Sequence, residues 1–347
     1  MKLATLQDGS RDGQLVLVSR DLGMAHYATG IASRLQQVLD DWGFYAPQLQ
    51  DLYDSLNAGR ARHAFPFDPR HCMAPLPRAY QCLQGNAYLH ATELECKVRN
   101  VEMPASLRRE PQLQQAVSDA SLGPCHDIVV PSAAMGIDFG AGLAVVTGDV
   151  ERGCTPAQAL DGIRLLMLAN TVSLRALETI ESERGQAPLL SRPAISFSPV
   201  AVTLDELGAA WDQGRVHLTL QTTWNGRKVG LCDAGPEMGF HFGQLIAQAC
   251  TTRLLRAGSI VCSGPVSNPA VQAAKGRNDW PRGYSSIADK RTMETLQDGK
   301  AATPFMQEGD TIRIEMKGRD GHSLCGAIDQ NVVVSPERIA AGTRDAC

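Results

Sequence analysis

Cysteine is the side chain with the widest chemistry here, and its spacing excludes most of that chemistry. The ten cysteines are scattered, and no two form a C-x-x-C pair. That pattern fits reduced thiols better than a disulfide framework or a zinc site. A second local signal is the stretch MGIDFGAGLAVV, residues 135–146, which reads as extended chain yet carries Gly140 and Gly142 two residues apart. Alternate residues of a strand share one face. Glycine inside a strand marks a bulge or a close backbone approach, so this face has two missing side chains.

The elements that must position such residues follow from the pattern. KLATL and LVLVS flank the turn-rich QDGSRDGQ and predict a hairpin, and SRLQQVLDDW and APQLQDLYDSL carry apolar residues at helical spacing. Prolines in FPFDPRHCMAPLPRAY mark a linker and a boundary near residue 77. Beyond it NAYLHATELECKVR predicts a helix, DIVVP, GIDF and LAVVTGD predict extended segments, and PAQALDGI predicts a short helix with Pro in its first turn. RLLMLANTVS is apolar enough for a buried strand. AISFSPVAV, GSIVCSG, DTIRIEMKG and GAIDQNVVV read as further strands, and GFHFGQLIAQACTTRLL as an amphipathic helix. In VHLTLQTTWNGRKVGL, Asn225-Gly226 is a strong hairpin signal. Strands and helices do not alternate regularly, so the class is α+β rather than a doubly wound parallel sheet.

Composition narrows the partners. Of the 347 residues 44% are apolar and 20% charged, with a net charge of −4. No basic run or aromatic platform predicts nucleic acid as a partner, and no apolar run is long enough to span a membrane. MKLATLQDGSRDG has no long apolar core of a secretory leader, so a cytoplasmic protein is expected.

Taken in order, GPCHDIVVPSAAMGIDF, PAQALDGIRLLMLANTVSLR, AISFSPVAVTLDELG, WNGRKVG, MGFHFGQLIA, RAGSIVCSGPVSN, RGYSSIADKR and GDTIRIEMKGRDGHS resemble the fumarylacetoacetate hydrolase family, in its bacterial form with a small N-terminal domain. The resemblance covers nearly the whole chain. It implies a small α+β N-terminal domain over 1–77, a mixed β-roll or sandwich catalytic domain over 78–335, a tail over 336–347, and a homodimer.

The resemblance also implies a divalent cation on four carboxylates, two of them from a Glu-x-Glu on a strand. Hard cations demand such oxygen-rich sites, and the ion polarises a 1,3-dicarbonyl or 2-oxo acid. In this sequence the Glu-x-Glu positions are Gly140 and Gly142, the third ligand position is Thr171 and the fourth falls at Gln84. With every carboxylate replaced, nothing offsets dehydration of the ion, so no metal and no other cofactor is expected. The remaining acids nearby are Asp138 and Glu93, a poor pair for a cation.

The family's general base aligns with Ala91, and His90 stands one residue earlier, a shift that turns a helical side chain by about 100°. Glu93 matches a family acid, Arg175 a family Arg, and Arg192 a family Lys. Ser263, Gly264 and Pro265 stand where the family has Ser-Gly-Thr. The expected catalytic residues are therefore His90 and Glu93. Tyr88, Thr171, Arg175, Arg192 and Ser263 are the expected substrate-binding residues, and Gln84, Gly140 and Gly142 are expected to open a pocket where the metal ligands stood.

Each has a plainer reading. The glycines record drift in a decayed site, His90 and Glu93 belong to the helix surface, and Thr171 satisfies backbone. Two cations beside a metal-free pocket could hold a carboxylate bidentately. Cys262, Cys82 and Cys96 read as inert thiols, His241 as structural, and KGRDGHS as a solvated turn. The expected function is a metal-independent enzyme of this family acting on a β-dicarbonyl, 2-oxo acid or polyketide-like acid. Its reaction would be enolisation, cyclisation, dehydration, decarboxylation or C–C cleavage, as a lyase or hydrolase in specialised biosynthesis. The alternatives are a non-catalytic pseudoenzyme that binds a small acid or a homologous subunit, and a metal-dependent acylpyruvate hydrolase.

Overall fold

The computed structural model describes residues 1–272 and 278–335, so the expected tail over 336–347 lies outside the described residues. Its centre is the strand Ala141–Thr147, buried along its whole length. Ile163–Thr171 pairs antiparallel with one edge of it and Ser259–Pro265 antiparallel with the other. Gln81–Gly85 then adds in parallel to Ser259–Pro265, and Leu113–Gln115 closes that side.

On the opposite side the sheet runs on into the N-terminal segment. Val200–Val202 pairs with Lys2–Leu6, which pairs with Gln14–Val18 in the expected hairpin. A second sheet of five strands is built from Arg227–Asp233, Thr219–Trp224, Thr311–Met316, Ile328–Val334 and Ile128–Val130. Asn225 and Gly226 join its first two strands with φ of 49° and 71°, the left-handed pair that this two-residue turn requires.

The period of two explains the layering. Leu143 and Val145 point into a core shared with Ile312, Ile314, Met316 and Ile328 of the second sheet. Ala144 and Val146 point the other way, into a core shared with Leu35, Val38, Leu49 and Tyr53. Those last residues lie on the helices Leu35–Asp40 and Trp42–Asn57. The central strand is thus covered by helices on one face and by a sheet on the other, which accounts for its continuous apolar run.

Three helices surround the site. Leu89–Val98 is the predicted one. Arg175–Glu183 and Ile287–Asp298 are the other two. Ser286 caps the last of these, its hydroxyl accepting from Asp289 N–H at 3.2 Å. No helix among the described residues is long and apolar enough to cross a membrane.

Candidate active site

These three helices and the end of the strand Gln81–Gly85 enclose a polar cavity of about 220 Å³. Gln84 lines it from the strand, Glu95 from Leu89–Val98, Arg175 and Glu178 from Arg175–Glu183, and Asp289 from Ile287–Asp298, with Arg192 on a loop. Ala91 and Thr92 also face the cavity. Ala91 and Glu95 are four residues apart and share a helix face; His90 and Glu93 fall off it.

Arg175 is the hub. Its Nε and Nη2 both reach Asp138 Oδ2 at 2.8 Å, and its Nη1 reaches Glu178 Oε2 at 2.6 Å. Arg192 Nη2 reaches the other Glu178 oxygen at 2.6 Å, and Arg192 Nη1 donates to Ser173 Oγ. Asp138 also accepts from Ile287 N–H at 2.7 Å and Ala288 N–H at 3.1 Å. A carboxylate on a helix N-terminus is well placed against those free donors. Burial pushes Asp138 up, and Arg175 with the two N–H groups opposes it. Burial also presses on Glu178, but the two guanidiniums hold it below its ordinary range. Burial lowers Arg192, with Glu178 resisting. The expectation that Arg175 and Arg192 hold a substrate carboxylate is thereby corrected: both are already engaged by carboxylates of the chain. Only Nε of Arg192 remains buried without a partner.

His90 does not line the cavity. Its Nδ1 lies 2.9 Å from Ser267 Oγ. Burial lowers its pKa to about 4, against the opposing charge of Glu93, so the ring is neutral at neutral pH. Glu93 turns outward to Arg108 at 2.7 Å, away from the position expected of a catalytic acid. Tyr88 is fully buried and donates to the Ala234 carbonyl at 2.8 Å. Thr171 Oγ1 donates to the Gly140 carbonyl at 3.2 Å. Ser263 donates to the Gly264 carbonyl at 2.7 Å and accepts from Leu143 N–H at 3.1 Å. These three hydroxyls complete hydrogen bonds inside the protein instead of offering them to a ligand.

Gly140 and Gly142 do not open the pocket. A Cβ on Gly140 would strike Thr171 Oγ1 and come within 2.8 Å of the Thr171 carbonyl oxygen. One on Gly142 would strike the Gly264 carbonyl and come within 3.2 Å of Ser263 Oγ. The space their side chains would need is filled by the Thr171 hydroxyl and carbonyl, Pro265, and the Gly264 carbonyl, and Asn170 pins the segment by accepting from Gly140 N–H at 3.1 Å. Of the four positions that the resemblance assigns to metal ligands, Gln84 alone reaches the cavity.

The donor set therefore does not fit the family's divalent cation: an amide, a hydroxyl already donating to backbone, and two glycines packed on carbonyls. Among the described residues no three His, Cys, Asp or Glu side chains converge as a metal site elsewhere. Cys262 is fully buried, and the neighbouring Cys82 thiol together with burial pushes its thiol well above the ordinary range. The His241 backbone N–H donates to Gln244 Oε1 at 3.0 Å at the start of the helix Phe242–Ala249.

Asp289 is the residue that pattern reading missed. Its Oδ2 is shielded from solvent and has no hydrogen-bond partner. Burial raises it to about 6, with the Ser267 hydroxyl and Arg175 opposing and Asp138 and Glu95 adding to the rise. Ser267 thus stands between His90 and Asp289. The available signal was Ser286-x-x-Asp289, a helix-start pattern that sets an acid in the first turn.

The sequence profile of the Fumarylacetoacetate (FAA) hydrolase C-terminal domain matches residues 80–333, and that of the Fumarylacetoacetase N-terminal domain 2 matches residues 1–78. No curated protein matches the chain significantly. Among solved structures the chain is similar to maleylpyruvate hydrolase from Sphingobium sp. SYK-6 in complex with manganese(II) ion and pyruvate, at 14% identity and a TM-score of 0.63, over 96% of this chain and 100% of that one. It is similar to 2-hydroxyhepta-2,4-diene-1,7-dioate isomerase from Mycobacterium marinum, at 18% identity and a TM-score of 0.59, over 96% and 99%. A third is 5-carboxymethyl-2-hydroxymuconate delta-isomerase from Mycobacterium smegmatis, at 16% and a TM-score of 0.59, over 96% and 99%. At these identities the likeness speaks for the fold.

Proposed function

Because the chain belongs to the fumarylacetoacetate hydrolase family, we propose that it is an enzyme that moves protons at a small carbonyl compound without a divalent cation, with Asp289 as general base. The observation that carries this reading is the Asp289 carboxylate. It faces a small polar cavity, keeps one oxygen unpartnered, and is raised by burial to about 6. Such a group is ionised at neutral pH yet more basic than an ordinary carboxylate, which suits a base that must also return its proton. The similar structures named as isomerases and a hydrolase supply the reaction class by analogy.

In the step proposed, Asp289 takes the proton from the carbon beside a carbonyl. The C–H electron pair becomes the enolate π bond, and the carbonyl oxygen takes the charge. The donor available to that oxygen is the Gln84 amide. Fixed donors aimed at developing charge are the general means of stabilising it. Asp289 then returns the proton to the same carbon, which is exchange, or to a conjugated one, which gives the isomer. His90 and Ser267 hold the carboxylate from behind as positioning residues.

A non-catalytic binder is the competing reading, favoured by the closure of Arg175 and Arg192 onto Glu178. Chelator-treated protein in deuterated buffer, given acetylacetone, acetoacetate and acetoacetamide in turn, separates the two. An enzyme accelerates loss of the central C–H signal of at least one compound, and Asp289→Asn removes that acceleration by about a hundredfold or more. No acceleration of any of the three, or acceleration that needs added Mg²⁺ or Mn²⁺, overturns the proposal.

A further inference from the structure

The same cavity has a charge balance that points away from acids, and this inference rests on the cavity being the active site. Asp138, Glu178, Arg175 and Arg192 form a closed set, two carboxylates and two guanidiniums in mutual contact. Their charges cancel. Two further carboxylates face the cavity, Glu95 and Asp289, and neither has an ion-pair partner among the described residues. Lys290, next to Asp289 in the chain, turns instead to Glu294 at 3.5 Å.

The remaining polar wall is mostly amide, with Thr92 and Ser286 beside it. Gln84 and Gln114 stand opposite each other on the paired strands Gln81–Gly85 and Leu113–Gln115. Gln112 lies beside them, and among the described residues these three side-chain amides make no hydrogen bond to the protein. An anionic ligand entering here meets two uncompensated carboxylates. To reach a guanidinium it must displace Glu178 from both arginines, and leaving one member of a buried charged pair unpartnered is strongly unfavourable. A ligand that brings N–H donors meets acceptors on Glu95, Asp289 and the glutamines.

We infer that the cavity selects a carbonyl compound bearing an amine or amide N–H and no carboxylate, the reverse in charge of the dioate and pyruvate named for the similar structures. The relevant interactions are charge-assisted hydrogen bonds to Glu95 and Asp289.

Acetoacetamide and acetoacetate are a matched pair, differing only in an NH₂ group against a carboxylate oxygen. Titration of each into the wild-type protein by calorimetry or ligand-observed NMR reads the preference without requiring turnover. The expected result is at least about tenfold tighter binding of acetoacetamide, with the gap narrowing in Glu95→Gln. Tighter binding of acetoacetate, equal binding of the two, or no binding of either up to its solubility limit overturns the inference, and so does a gap that Glu95→Gln leaves unchanged. Selective binding of acetoacetamide without any proton exchange would retain the inference while removing the enzymatic reading. Exchange together with a preference for the acid would do the opposite.

Discussion

Arg175 holds Asp138 through two nitrogens at once, Nε and Nη2 both 2.8 Å from the same carboxylate oxygen. Asp138 is entirely buried and caps the helix Ile287–Asp298, so this contact ties that helix to Arg175–Glu183 and fixes the floor of the cavity. Removing the guanidinium leaves a buried charge without its partner. Arg175→Met should therefore lower the unfolding free energy by about 3–5 kcal/mol, read from urea denaturation. Adding Asp138→Asn to that variant should recover part of the loss. A cost within about 0.5 kcal/mol, the range usual for surface substitutions, would show that the contact does not carry the fold.

Asp289 gives a pH dependence in two observables. As a base it must be ionised, so the rate of proton exchange should rise with pH through about 6 and level off above it. Stability runs the other way. The folded-state value lies above the ordinary 3.8, so between about 4 and 6 the folded chain binds more protons than the unfolded one, and this residue's contribution to stability falls as pH rises. Asp289→Asn should therefore be more stable than wild type at pH 8, by up to about 3 kcal/mol, with the difference vanishing near pH 4. Thermal melts of both proteins across that range test it, and a difference independent of pH would contradict the assignment.

Gly140→Ala and Gly142→Ala should each destabilise, since the new methyl group meets the Thr171 hydroxyl and carbonyl in the first and the Gly264 carbonyl in the second, rather than open space. Overpacking of this kind costs about 1–3 kcal/mol. Chemical denaturation of the two variants measures this. Gly140→Glu with Gly142→Glu should fold poorly and fail to bind Mn²⁺ by calorimetry; a folded double variant with one equivalent of bound Mn²⁺ would mean that the segment can open.

His90 and Glu93 should behave differently. Glu93→Gln breaks an exposed pair with Arg108, worth at most about 1 kcal/mol, and should leave proton exchange unchanged. His90→Ala removes the partner of Ser267 and should shift the midpoint of the pH–rate profile while leaving the fold intact, with His90→Asn restoring much of it through a hydrogen bond from the same place. Loss of rate in His90→Ala with an unmoved midpoint would assign the residue a purely structural part.

The layers of the fold were legible because they depend on periodicity and turn chemistry: the alternation Leu143, Ala144, Val145, Val146 and the Asn225-Gly226 turn each act within a few residues. The one-residue offset of His90 from Ala91 was legible for the same reason, as a rotation about a helix axis. The site was less so. That Arg175 meets Asp138 and that Arg192 meets Glu178 depends on three helices converging, and residue type alone reads such arginines as free cations. The two glycines misled because a missing side chain looks identical in sequence whether solvent or backbone fills its place.

The pairing of Lys2–Leu6 with Val200–Val202 has a consequence for how the chain is made. During synthesis the first strand leaves the ribosome with one edge satisfied by its hairpin partner and the other waiting for a segment about 200 residues away. Exposed strand edges of that kind recruit neighbouring chains, and such distant pairings form slowly. The second edge of the N-terminal hairpin is therefore closed only by a segment made much later, and the large sheet is complete only once Val200–Val202 has joined it.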